Sequence, residues 1–130
     1  MANKVTLGAR PKTFKTFDVK VTMPDGEEGV IPVTYKYRTK SEFGKWLDAA
    51  LAAGKKAGEK ATPEEFSWEK FYEQNIDTAS DQLISAVDSW GLDVPLSRDS
   101  LRQMGDEIPG AITAMLSAYG EACREGRLGN

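Results

Sequence analysis

Between residues 16 and 38 the polar and apolar residues alternate in two runs. In TFDVKVTM, Phe17, Val19, Val21 and Met23 share one parity, and Asp18, Lys20 and Thr22 the other. In VIPVTYKYR, Ile31, Val33, Tyr35 and Tyr37 alternate with Pro32, Thr34, Lys36 and Arg38. The turn cluster PDGEEG separates them. Period-2 alternation on both sides of a Pro-Asp-Gly turn predicts an antiparallel β-hairpin with one apolar face. Pro32 has no N–H to give a ladder, so its strand is expected to be an edge there, or bulged. KVTL near the start offers a third short strand.

After Thr39 the period changes to that of helices. TKSE places Thr39 as N-cap and Glu42 at N3, a capping box. Phe43, Trp46, Leu47, Ala50 and Leu51 follow at helical steps. Their stripe is expected to lie on the hairpin's apolar face, since a lone hairpin is marginal in water. Residues 52–63, rich in Gly, Lys and Ala, read as a mobile loop. Thr62 as N-cap, Pro63 at N1 and Glu65 at N3 then restart a helix. The stretch 63–90 reads as one long helix or as two broken near Asn75–Thr78, carrying Phe66, Trp68, Phe71 and Tyr72 first and Leu83, Ile84, Val87 and Trp90 later. Gly91 ends it. Ser97 caps a short helix with Leu101 and Met104. Pro109 opens the last one, in which Ile112, Met115, Leu116, Tyr119 and Cys123 recur at steps of three and four. Gly126 is its C-cap, and RLGN an exit tail. Strands first and helices after predict an α+β fold: an N-terminal hairpin packed against a C-terminal bundle of about four helices. The organisation expected is one domain over 1–130, with strands in 1–38 and helices in 39–130.

Length and composition agree with one domain, at 130 residues, 40% apolar and 28% charged. No apolar run reaches the ~18 residues a membrane span needs, and the N-terminus has no secretion-signal core, so a cytoplasmic address is expected. The net charge of −3 is uneven. Residues 1–40 hold eight Lys/Arg against four Asp/Glu, and the remainder holds nine against 16.

Candidate chemistry is sparse. The chain has no histidine, which removes the commonest general base, the Ser-His and Cys-His pairs and the usual zinc ligand. Its single cysteine, Cys123, cannot form an intrachain disulfide and falls on an apolar stripe, where it reads as a small buried hydrophobe. No Walker or GxGxxG glycine loop is present. Glu65, Glu69 and Glu73 are four apart on one helix face beside Glu64; with Asp77, Asp81 and Asp88 they read as solvated acids rather than a metal or acid–base site. KYRTK interleaves Tyr35 and Tyr37 with Lys36, Arg38 and Lys40, but parity turns the tyrosines to the core, against a nucleic-acid platform. The expectation is no enzyme, no cofactor, no metal, no nucleic acid and no membrane. Trp46 and Trp90 read as core residues. Trp68 is offset from Phe66 and Phe71, and, if exposed, it is an anchor for a protein partner.

RPKTFK, YKYRTKSEFG, WGLDVPLS, EIPGAITAML and EGRLGN together resemble one group of small tail assembly chaperones of long-tailed, double-stranded DNA phages. The resemblance spans nearly the whole chain apart from 52–63. Its most characteristic pieces are the Tyr-Arg-Thr stretch into Glu42-Phe43-Gly44, the Trp90-Gly91-Leu92-Asp93 turn, and the Gly126-Arg127-Leu128-Gly129-Asn130 ending. It implies a non-catalytic protein that keeps the tape measure protein soluble in the host cytoplasm and is absent from the mature virion. It also implies that a frameshifted longer form, where one exists, recruits tail tube protein. The alternative is a structural virion protein, a tail completion or head–tail connector component. For the chaperone, the partner site is expected either in a groove between hairpin and helices or at Phe66, Trp68, Phe71 and Tyr72, with Arg127 and Leu128 in a tail that docks, marks where a longer form departs, or is simply a solvated end. A homo-oligomer is left open.

Overall fold

The computed structural model describes residues 3–58 and 66–126. The chain forms β1 (Phe17–Thr22), β2 (Glu28–Tyr35), α1 (Lys40–Gly58), α2 (Trp68–Ala86), β3 (Val87–Trp90), α3 (Arg98–Glu107) and α4 (Ala111–Glu125). This is the α+β arrangement that the order of periodicities implied: an antiparallel sheet in the order β1-β2-β3, with four helices.

The hairpin pairs Phe17 with Val33, Val19 with Ile31 and Val21 with Gly29. Val19, Val21, Ile31, Val33 and Tyr35 are buried, and Asp18, Lys20 and Thr22 are exposed, as alternation requires. β2 is the central strand. Pro32 is tolerated because its carbonyl accepts from Gly91 N–H (2.8 Å), so its nitrogen faces the same β3 side, where the ladder ends at the Val33–Trp90 pair. A register shift at Thr34/Tyr35 bulges that ladder.

The third strand is not KVTL, which is irregular. It is Val87–Trp90, which the sequence pattern assigned to a helix. α2 runs unbroken from Trp68 and stops at Ala86. Lys36 N–H, one residue past β2, donates to the Ala86 carbonyl (2.8 Å), taking one of the acceptors a helix C-terminus leaves free. The following residues then pair with β2, so strand lies inside the region read as wholly helical. Gly91 follows this strand rather than capping a helix.

The caps carry the helix starts. Thr39 and Glu42 form the expected box: Thr39 N–H donates to the Glu42 carboxylate (2.9 Å), and Glu42 N–H to Thr39 Oγ1 (3.2 Å). Those bonds hold the Glu42 carboxyl below its ordinary range. Ser97 caps α3 with Ser100, and Gly126 ends α4 at φ 70°. α4 begins after Gly110, in the left-handed region at φ 84°, so Pro109 precedes the helix instead of opening it. α2 begins later than its pattern implied, with Ser67 Oγ accepting from Lys70 N–H. Thr62, Pro63, Glu64 and Glu65 lie outside the described residues. α1 continues to Gly58, through much of the segment read as a loop, because Ala and Lys sustain a helix without an apolar stripe; residues 59–63 of that segment are outside the described residues.

All seven elements contribute to the core, through residues such as Val19, Val33, Val87, Phe43, Leu83, Leu101 and Met115. Burying such side chains is worth about 1.5–3 kcal/mol each. The helix laid on β1 is α4, whereas α1 packs chiefly against α2 and α4. The α1 stripe is therefore only partly covered: Phe43 is buried, but Leu47 and Leu51 are exposed. Of the acids read as solvated, Asp81 is exposed and Asp77 half-buried, and both also face arginines of α3, Arg98 and Arg102 respectively. Arg98 Nε lies 2.6 Å from Asp81 Oδ1 and Arg102 Nε 2.5 Å from Asp77 Oδ1, a two-rung ladder between α2 and α3.

Candidate functional site

The first turns of α2 carry an aromatic cluster on the surface. Ser67 is the N-cap, so Phe66 stands at N′ and Phe71 at N4, the positions of a hydrophobic staple. Their ring centroids are 6.1 Å apart. Trp68 and Tyr72 are one turn apart on the same face and stack at 6.0 Å. Trp68 also meets Phe66 edge-on at 4.9 Å and Phe71 at 5.7 Å.

The four rings contact one another, and none belongs to the set packed on the core. Phe66 is 47% exposed, Trp68 64%, Phe71 42% and Tyr72 59%. A staple accounts for Phe66 and Phe71; it gives no reason for Trp68 and Tyr72 to stand in solvent. Glu69 and Glu73 are exposed on one flank of this face and Lys70 on the other. Exposed aromatics grouped in this way mark interaction surfaces more often than isolated ones do. Of the residues singled out from the sequence, these four come together. Arg127 and Leu128 lie outside the described residues.

A second apolar surface was not read as a site. Leu47 and Leu51, at 43% and 63% exposure, border an open groove along α1. One part, about 410 Å³, is lined by Phe43, Trp46 and Ala50 with Leu116 and Gly120 of α4. The next, about 490 Å³, shares Leu47, Ala50 and Gln82 and continues to Leu51 and Gly54. The signal available was the width of the α1 stripe. The hairpin–helix groove that was expected is smaller, about 220 Å³, between β1 and α4.

The tyrosines of KYRTK are not a base-stacking platform. Tyr35 is fully buried, and Tyr37 packs edge-on against Phe14 at 5.3 Å. Arg38 also departs from its expected outward face. β2 has ended at Tyr35, and the Arg38 guanidinium turns inward to donate to the Ser85 carbonyl (2.9 Å) and the Tyr119 hydroxyl (2.6 Å). Trp46 Nε1 donates to Ser85 Oγ (2.7 Å) beside it. Cys123 is buried, and that burial pushes its thiol up from the ordinary value, away from the reactive thiolate.

The phage tail assembly chaperone family model matches residues 1–130, the whole chain. The chain belongs to that family. No match was found among curated proteins or among solved structures. Family membership assigns the chain a chaperone role in tail assembly and implies a non-catalytic protein that interacts with tail proteins. Among the described residues, no helix is long and apolar enough to cross a membrane.

Proposed function

We propose that this protein binds the tape measure protein through the α2 aromatic cluster and keeps it in solution until the tail tube forms around it. The observation carrying this reading is that Phe66, Trp68, Phe71 and Tyr72 form a continuous surface cluster that the protein's own core does not use. A long helical partner presents apolar positions at steps of three and four, and such a stripe needs flat aromatic surface to cover it. The groove beside Leu47 and Leu51 offers the same chemistry on α1. In this reading Arg127 and Leu128 form a docking tail, and a frameshifted longer form brings in tail tube protein. The protein acts non-catalytically in the host cytoplasm and leaves before the virion is complete.

The test is coexpression with the tape measure protein and measurement of its soluble fraction. Trp68→Ala removes an exposed ring, so the chaperone should still unfold cooperatively with a stability change within about 0.5 kcal/mol. The same variant should lower the soluble fraction of its partner. Undiminished solubilisation by Trp68→Ala together with Tyr72→Ala would remove the cluster from the binding site. Mass spectrometry of purified virions should find the protein absent; its abundance there would favour a structural component.

A further inference from the structure

β1 is an edge strand, and its free edge is self-complementary. Met23 N–H donates to the Glu27 carbonyl across the hairpin (2.8 Å). Backbone groups alternate sides along a strand, so those of Val21, Val19 and Phe17 also face β2. The N–H and C=O groups of Asp18, Lys20 and Thr22 therefore point away from the sheet, and no described residue pairs with them. Pro32 opposite Asp18 fits this pattern, since that pair exchanges no hydrogen bonds within the hairpin.

We propose that this edge pairs with β1 of a second copy of the chain, antiparallel about a two-fold axis at Val19, joining two three-stranded sheets into one. The register is selected by charge. Centred on Val19, Asp18 lies opposite Lys20 of the second copy, and Lys20 opposite its Asp18, on the solvent face. Centred on Lys20, two lysines meet on the axis; centred on Asp18, two aspartates do. Like charges directly opposite disfavour pairing, and opposite charges favour it. A slip by one residue would turn one copy's helices to the wrong face of the sheet. In the favoured register the core-facing side sets Val19 against Val19 and Phe17 against Val21, an aromatic–β-branched pair of the kind that stabilises sheets.

Two further observations agree. The groove of about 220 Å³ beside this edge is lined on the helix side by Ala114, Ser117, Ala118 and Glu121 of α4. Those mostly short side chains leave room for core-facing side chains of the second copy's β1. Lys20 reaches only Glu28 of its own chain, at 3.9 Å with both side chains mostly exposed, so it is available to a closer carboxylate. An isologous two-fold contact also closes, whereas an unpaired edge free to stack without symmetry invites open aggregation.

The experiment is sedimentation equilibrium on the full chain and three variants, with circular dichroism melting to establish that each is folded. The unmodified protein should be dimeric. Asp18→Lys and Lys20→Asp should each weaken dimerisation at least about tenfold, because each places like charges opposite one another twice in the symmetric pair. The double variant D18K/K20D should restore it, since the pair is merely exchanged. These positions face solvent in the single chain, so all three variants should still melt cooperatively, the two single reversals somewhat lower as dimerisation is lost and the double variant close to the unmodified chain. A monomer at every accessible concentration would overturn the proposal and leave the edge to a strand of another protein. A dimer indifferent to the single reversals, or not rescued by the double, would place the interface elsewhere and overturn it equally.

Discussion

The Arg38 guanidinium donates to the Tyr119 hydroxyl at 2.6 Å while its central carbon lies 5.8 Å from the centroid of the same ring. Tyr119 in turn donates to the Lys36 carbonyl at 3.2 Å, so the residues after β2 and the middle of α4 are bound in both directions. Arg38 also holds the Ser85 carbonyl and lies 5.9 Å from the Trp46 ring. One side chain thus joins the end of β2, α1, α2 and α4. Lysine has neither the fork nor the planar face for this. Arg38→Lys should lower unfolding free energy by about 1–3 kcal/mol, read from urea denaturation, with little change in the slope.

Two tyrosines make the fold sensitive to alkali. Burial raises the Tyr119 hydroxyl to about 12, with Arg38 pulling against it. Burial, reinforced by neighbouring Tyr119, raises Tyr35 as well; its hydroxyl donates to the Met115 carbonyl at 2.6 Å. A group whose folded value lies above the unfolded one holds its proton longer in the native state. Its stabilising effect is complete below the ordinary tyrosine value near 10 and is lost as pH rises toward 12. The melting temperature should therefore fall across that window. Tyr119→Phe should be less stable at neutral pH and show a shallower alkaline decline; a decline as steep as in the unmodified chain would assign the effect to other groups.

Gly91 is required by the close approach of β3's exit to the central strand. A Cβ there would lie 2.9 Å from Pro32 Cβ and 3.0 Å from its Cγ, and a proline ring cannot swing aside. Gly91→Ala should cost about 1–3 kcal/mol in thermal or urea unfolding, as overpacking does. Loss of the N–H contact to the Pro32 carbonyl should appear as faster amide exchange at position 91 in that variant than in the unmodified chain.

Cys123 should react slowly. It is 7% exposed and its thiol is shifted up, so both access and thiolate fraction are low. Labelling by an aromatic disulfide reagent at mildly alkaline pH should be at least about tenfold slower in the native protein than in urea. Native labelling as fast as in urea would mean that α4 opens locally.

Where local chemistry sufficed, the sequence was legible. Alternation placed Val19, Ile31 and Tyr35 inward, and the Thr39–Glu42 box, Ser97 and Gly126 marked helix ends, because each signal lies within one turn or one strand. The aromatic cluster was legible for the same reason: Phe66 through Tyr72 are neighbours along a single helix start. What only the tertiary structure decided is non-local. VDSW has residues that suit a helix as well as a strand, and it becomes β3 because β2 presents an unpaired side that Lys36 aligns by taking the Ala86 carbonyl. Arg38 turns inward because Tyr119, 81 residues away, offers an acceptor and a ring face. Leu47 and Leu51 stay exposed because α4, not α1, covers the hairpin. A pattern along the chain says which side chains prefer burial; which partner reaches them first is settled by packing among segments far apart in sequence.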